Sequence, residues 1–214
     1  MSAKFPLHLL SFLFVFAACE KDKPTPVVDQ RAYSVSTSGN IITVRNLPGD
    51  TIVGTTAQGQ PIGAGRYSFF SLETGQWISN ADSNSTRWDL AFAGTILRVN
   101  NATSGPGGGG AFVYNGTFES LTSVPTDSTF RVDNHPISYA ITRGSGKAWY
   151  TYDGPTNLLT PIPGRTLVIR TANGQRAKVE ILNYYRGGTT PSASSADSIK
   201  TRDQRFFHFR YSKM

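Results

Sequence analysis

Apolar residues recur along the chain in short stretches, and turn-forming residues separate them. Residues 33–37 and 41–45 flank Ser38-Gly39-Asn40, which predicts a β-hairpin. Residues 66–73 (RYSFFSLE) end at Thr74-Gly75. Residues 87–93 (RWDLAFA) alternate Trp88, Leu90 and Phe92 against Asp89, Ala91 and Ala93. A repeat of two is the signature of a strand, because successive side chains point to opposite faces. Residues 95–99, 111–115 and the aromatic 146–153 (GKAWYTYD) predict further strands. Residues 165–171 and 176–182 enclose Asn173-Gly174. Asn-Gly favours a tight hairpin turn, since both residues tolerate positive φ. Residues 205–211 (RFFHFRY) close the chain as a strand.

No long segment carries a 3.6-residue period. The best helical candidate is a turn or so within residues 116–124, where Thr117-Phe118-Glu119-Ser120-Leu121 can cap and start. Residues 189–198 (TTPSASSADS) read as a polar, low-complexity loop between the last two strands. Many short strands with Gly and Pro punctuation predict an all-β domain. Its expected architecture is one domain of two packed, mainly antiparallel sheets with little helix.

The N-terminus follows a different pattern. Lys4 precedes a fourteen-residue apolar run, Phe5 to Ala18. That run is short for a spanning helix and suits the core of a signal peptide. It ends Phe16-Ala17-Ala18-Cys19, and small residues before a lone cysteine resemble a bacterial lipobox. The expected division is a lipoprotein signal peptide over 1–18, a lipidated Cys19 with a flexible tether over 19–32, and the β domain over 33–214. The polar, proline-containing EKDKPTPVV suits a tether. The other reading is an ordinary secretory signal with an incidental cysteine.

Composition removes several function classes. One cysteine in 214 residues excludes a disulfide framework and any multi-cysteine metal site. The formal net charge of +7 favours anionic partners, yet no run of five basic residues marks a nucleic-acid patch. The glycine-rich 100–110 loop (NNATSGPGGGG) lacks the Gly-Lys-Ser/Thr ending of a phosphate loop. Neither a G-x-S-x-G elbow nor a D-x-D-x-D-G calcium loop occurs. A binding protein is therefore expected rather than an enzyme.

The ordered set of features resembles the HmuY-like family of Bacteroidetes haem-binding lipoproteins. It runs from the lipobox through the aromatic strand ending at Thr74-Gly75, then Trp88-Asp89-Leu90-Ala91-Phe92, and then the Asn- and Gly-rich loop. Trp149 with Tyr150 and Tyr152, the hairpin RTANGQRAKVEILNYY and the terminal FFHFRY complete it. The resemblance spans roughly residues 67–211. It implies an all-β domain lipid-anchored at the outer membrane and facing the cell exterior. It also implies capture of haem or a related tetrapyrrole for iron acquisition. The haem would pass to a TonB-dependent outer-membrane receptor. The rival expectation is a non-haem adhesion or accessory module of such an uptake system.

Haem iron is commonly held by His, Met, Cys or Tyr. His8 would leave with the signal and Cys19 would carry lipid, which leaves His135, His208 and Met214. A methionine pair is therefore unavailable, and a histidine pair requires both His135 and His208. Alternation in RFFHFRY puts Phe207, Phe209 and Tyr211 on one face and His208 beside Arg210 on the other. His208 is therefore expected to face solvent. His135 lies in the turn-rich Asp133-Asn134-His135-Pro136, where it is the candidate iron ligand; the alternative is an ordinary loop histidine. Tyr139, Trp149 and Tyr150 are candidates for the porphyrin wall, or else sheet core. Arg143 and Lys147 flank Gly144-Ser145-Gly146 and are candidates for propionate contacts, or else solvated hairpin ends.

Overall fold

In the computed structural model, which describes residues 1, 31–58 and 60–214, alternation and turns produce two principal antiparallel sheets. The larger contains Ser34–Ser38 (β1), Ile41–Pro48 (β2), Gly110–Asn115 (β9), Arg165–Arg170 (β12), Arg176–Tyr185 (β13) and Gln204–Lys213 (β14). Their spatial order is β1-β2-β14-β13-β12-β9. The smaller contains Ser68–Ser71 (β5), Gln76–Ile78 (β6), Leu90–Ala93 (β7) and Ile96–Val99 (β8), in the order β6-β5-β7-β8. Two separate hairpins join Ile52–Thr55 (β3) to Pro61–Gly63 (β4) and Tyr150–Asp153 (β10) to Leu158–Pro161 (β11). The expected signal peptide, Cys19 and most of the expected tether lie outside the described residues. Among the described residues, no helix is long and apolar enough to cross a membrane.

The core lies between the two sheets. Phe207, Phe209 and Tyr211 of β14 face inward and meet Phe70 of β5 and Phe92 of β7. Ring centroids lie 4.9 Å apart for Phe92–Phe207 and 5.3 Å for Phe70–Phe209. Each fully buried aromatic contributes about 1.5–3 kcal/mol by leaving water. Buried Asp89 adds a polar tie between the layers. Its carboxylate accepts the backbone N–H of Leu72 at 2.7 Å and of Ala172 at 2.8 Å. Burial raises its pKa above the usual carboxylate value, and the two N–H donors offset part of that rise.

Three expectations change here. Residues 116–124 form turns rather than helix. Phe118 and Leu121 are buried, and the Lys178 ammonium takes both of their carbonyls, at 2.7 and 2.8 Å. Those carbonyls are thus claimed by a neighbouring strand instead of by N–H groups four residues on. The α-helix among the described residues is instead Asp197–Asp203 (α1), which starts inside the stretch expected to be loop. Buried Lys200 anchors it by donating to the Thr156 and Ala193 carbonyls and to Asp197. His208 does lie on the face opposite Phe207, but it is only 3% exposed. The turn at residues 186–188 covers it: a Cβ built on Gly188 would fall 3.2 Å from the imidazole.

Candidate functional site: a cleft on the outer face of the smaller sheet

Alternation leaves one row of side chains pointing away from the core. Phe69 of β5 stands opposite Ala91 of β7, and Ala91 stands opposite Arg98 of β8. A small residue between two large ones makes a hollow. Trp88, just before β7, packs on Phe69 with ring centroids 4.9 Å apart, and Tyr67 extends the aromatic wall. Residues 102–106 close the other side. The resulting cleft holds about 440 Å³, within the range of small-molecule sites.

Asn100 fixes the wall made by the glycine-rich loop. It is fully buried, and its Nδ2 donates to the carbonyls of Ser85 and Trp88, each at 2.8 Å. Its Oδ1 accepts the Gly107 N–H at 2.9 Å, and its backbone carbonyl accepts Gly109 N–H at 2.9 Å. The chain wraps so closely that a Cβ at Gly107 would fall 2.7 Å from Ala172 Cβ and 2.8 Å from the Asn100 carbonyl oxygen. Glycine serves close approach here rather than phosphate binding.

His135 reaches the rim of this cleft through Thr103, whose hydroxyl accepts the His135 N–H at 2.6 Å. Asp133 holds the segment in place. Its carboxylate accepts Val99 N–H of β8 at 3.0 Å and Ala140 N–H at 2.8 Å. The His135 residue is exposed, and its Nδ1 lies 2.8 Å from the Tyr139 hydroxyl. Tyr139 is buried, with two guanidinium groups near its ring. Arg98 lies 5.7 Å and Arg143 4.8 Å from its ring centroid. Arg98 also lies 4.4 Å over the Tyr67 ring. Burial raises the Tyr67 pKa, and the Arg98 charge opposes that rise, so the phenol is neutral at neutral pH.

The structure brings His135, Tyr139 and Arg143 together beside the cleft. Lys147 stands exposed on the turn that precedes β10, with its N–H bonded to the Gly144 carbonyl. Trp149 and Tyr150 lie in the main core instead. Trp149 packs against Tyr184 and Phe207, and its indole N–H donates to the Thr95 carbonyl. His208 belongs to the other sheet, so the two histidines do not converge on one iron. Arg98, Tyr67, Phe69, Trp88 and Ser104 escaped the sequence reading as site residues. The signal for Arg98 was present: in ILRV the two buried residues are Leu97 and Val99, which puts Arg98 outside. Among the described residues no three His, Cys, Asp or Glu side chains cluster as a metal site.

No curated protein matches the chain. Solved structures do. An HmuY-like heme binding protein assigned in Bacteroides vulgatus superposes with a TM-score of 0.50 at 13% identity, covering 84% of this chain and 96% of that one. A protein assigned as a lipoprotein in Bacteroides fragilis gives 0.48 at 17% identity, over 84% and 93%. Apo PinO from Porphyromonas gingivitis gives 0.49 at 14% identity, over 84% and 98%. At such identities, the Bacteroides vulgatus likeness speaks to fold. The family model described as HmuY protein matches residues 65–195, from just before Tyr67 to beyond β13, and so includes the whole cleft. By that match, the chain belongs to the HmuY family.

Proposed function

We propose that this protein is a non-enzymatic, cell-surface lipoprotein that binds haem or a related tetrapyrrole as cargo and passes it to a TonB-dependent outer-membrane receptor. The N-terminal signal and Cys19 are the basis for the anchor. The observation that carries the binding reading is the juxtaposition of an exposed, oriented histidine with an aromatic cleft. His135 offers an imidazole nitrogen to iron. The tautomer that does so through Nε2 keeps its proton on Nδ1 and donates it to the Tyr139 oxygen. A second hydrogen bond of this kind is what orients metal-bound histidines in general. Tyr67, Phe69 and Trp88 supply apolar faces for a macrocycle, and Arg98 and Arg143 supply positive charge for its propionates.

The donor set fits one axial bond rather than two, which suits cargo that must be released. Membership of the HmuY family and the heme binding assigned to the Bacteroides vulgatus relative support the same reading. The test is a haemin titration of the purified protein, followed at the Soret band, beside His135→Ala. The expected result is a saturable one-to-one band in the wild type that shifts in the variant. Non-saturating adsorption alone would reject haem capture and leave the adhesion or accessory reading.

A further inference from the structure

The same cleft contains polar groups that nothing among the described residues satisfies. Arg98 Nε is buried without a hydrogen-bond partner, and so is the Ser104 hydroxyl. Both residues line the cleft. Buried donors are nearly always paired, so two orphans in one hollow call for an outside acceptor. Arg98 also lacks a counter-ion: no carboxylate pairs with it among the described residues. The acids whose charges reach neighbouring Tyr67 are already engaged. Asp133 accepts two backbone N–H groups, and Asp50 holds Arg205 at 2.9 Å and the Gly65 N–H at 2.6 Å.

We propose that Arg98 and Ser104 form a carboxylate subsite in the cleft, and that the protein selects planar aromatic acids through it. The guanidinium carbon lies 4.4 Å over the Tyr67 ring, which covers one side of the group, and Arg98 lines the cleft, where its N–H donors can meet a ligand. A carboxylate there gains a charge-assisted pair in a half-enclosed setting, with the Ser104 hydroxyl as a further donor. Phe69 and Trp88 stand beside it, so the acid that fits carries its carboxylate on an aromatic body. This deepens the haem reading and rests on the cleft it uses. It does not depend on iron, because neither Arg98 nor Ser104 is an iron ligand.

The test titrates the purified protein with metal-free protoporphyrin, with its dimethyl ester and with haemin, using fluorescence quenching and absorbance. The expected result is at least about tenfold tighter binding of the free acid than of the ester, the size of one charged hydrogen bond. Arg98→Gln should weaken the acid by about the same factor, leave the ester unchanged and so abolish the preference. Ser104→Ala, which removes a single loop hydroxyl, should reduce the preference in part and guards against a misfolded Arg98 variant. Equal binding of acid and ester, equal losses for both in Arg98→Gln, or no porphyrin binding at all would overturn the subsite. A preference for the acid with no His135-dependent Soret shift for haemin would retain the subsite and reject haem ligation.

Discussion

The Tyr139 hydroxyl lies 2.8 Å from His135 Nδ1, and the same tyrosine ring is flanked by Arg98 and Arg143. Orientation of the imidazole and the positive charge beside the cleft thus depend on one buried side chain. Tyr139→Phe separates the two roles. It keeps the ring that packs against the guanidinium groups and removes only the hydroxyl. Loss of an outer-shell partner typically costs about 10–100-fold in metal affinity. Haemin affinity should fall within that range, while binding of metal-free protoporphyrin stays unchanged. Parallel titrations check it, and an unchanged haemin affinity would mean that His135 needs no such partner.

The imidazole of His208 makes the opposite case. It is buried on the outer face of the larger sheet, and among the described residues neither ring nitrogen has a hydrogen-bond partner. Burial depresses its pKa to about 4; nearby Arg45 pushes the same way and the Tyr185 backbone opposes. An unfolded histidine titrates near 6.5, so between these values the unfolded chain binds more protons than the folded one. Stability from this group is complete above about pH 6.5 and falls as the pH drops toward about 4. Partial solvent screening reduces the effect to about 2 kcal/mol between about pH 7 and pH 4.5. Urea unfolding of the wild type and His208→Leu at both pH values checks it: the wild type should lose that much more than the variant. Identical pH dependence would contradict it.

These residues also mark what the sequence makes legible. Period-two alternation divides core from outer face correctly over RFFHFRY and over Leu90 to Phe92, and Asn173-Gly174 marks the β12–β13 turn. It fails at Trp88, which alternation groups with Leu90 and Phe92 but which precedes β7 and packs on Phe69 of the outer face. What alternation cannot report is whether the outer face is covered. His208 is enclosed by Gly188, twenty positions earlier in the chain, and Phe118 has Lys178 and Arg210 over its ring at 4.4 and 4.5 Å. Both coverings are long-range. The cleft was hidden for the same reason. Phe69, Ala91 and Arg98 become neighbours only through strand register, whereas His135 and Tyr139 stand close in sequence and are each legible as a candidate, one as ligand and the other as wall. Trp149 and Tyr150 share the composition of a ligand wall, and burial alone separates them from one.

Register also makes the cleft sensitive to the packing around Asn100. Gly107 donates to the Asn100 side chain at 2.9 Å, and a methyl group there would meet Ala172 Cβ at 2.7 Å and the Asn100 carbonyl oxygen at 2.8 Å. Neither contact ends in a flexible group, so backbone must shift. Gly107→Ala should therefore cost about 1–3 kcal/mol, the usual penalty of overpacking. Gly54→Ala is the matched control, because among the described residues nothing lies within 4 Å of a Cβ built there. Its effect should stay within about 0.5 kcal/mol. Because residues 102–106 form one wall of the cleft, Gly107→Ala should also weaken porphyrin binding, and Gly54→Ala should not. Urea unfolding and protoporphyrin titration of both variants check this pair of outcomes. A Gly107 variant as stable as the wild type, with binding intact, would show that the loop yields without cost and that Asn100 does not set the shape of the cleft.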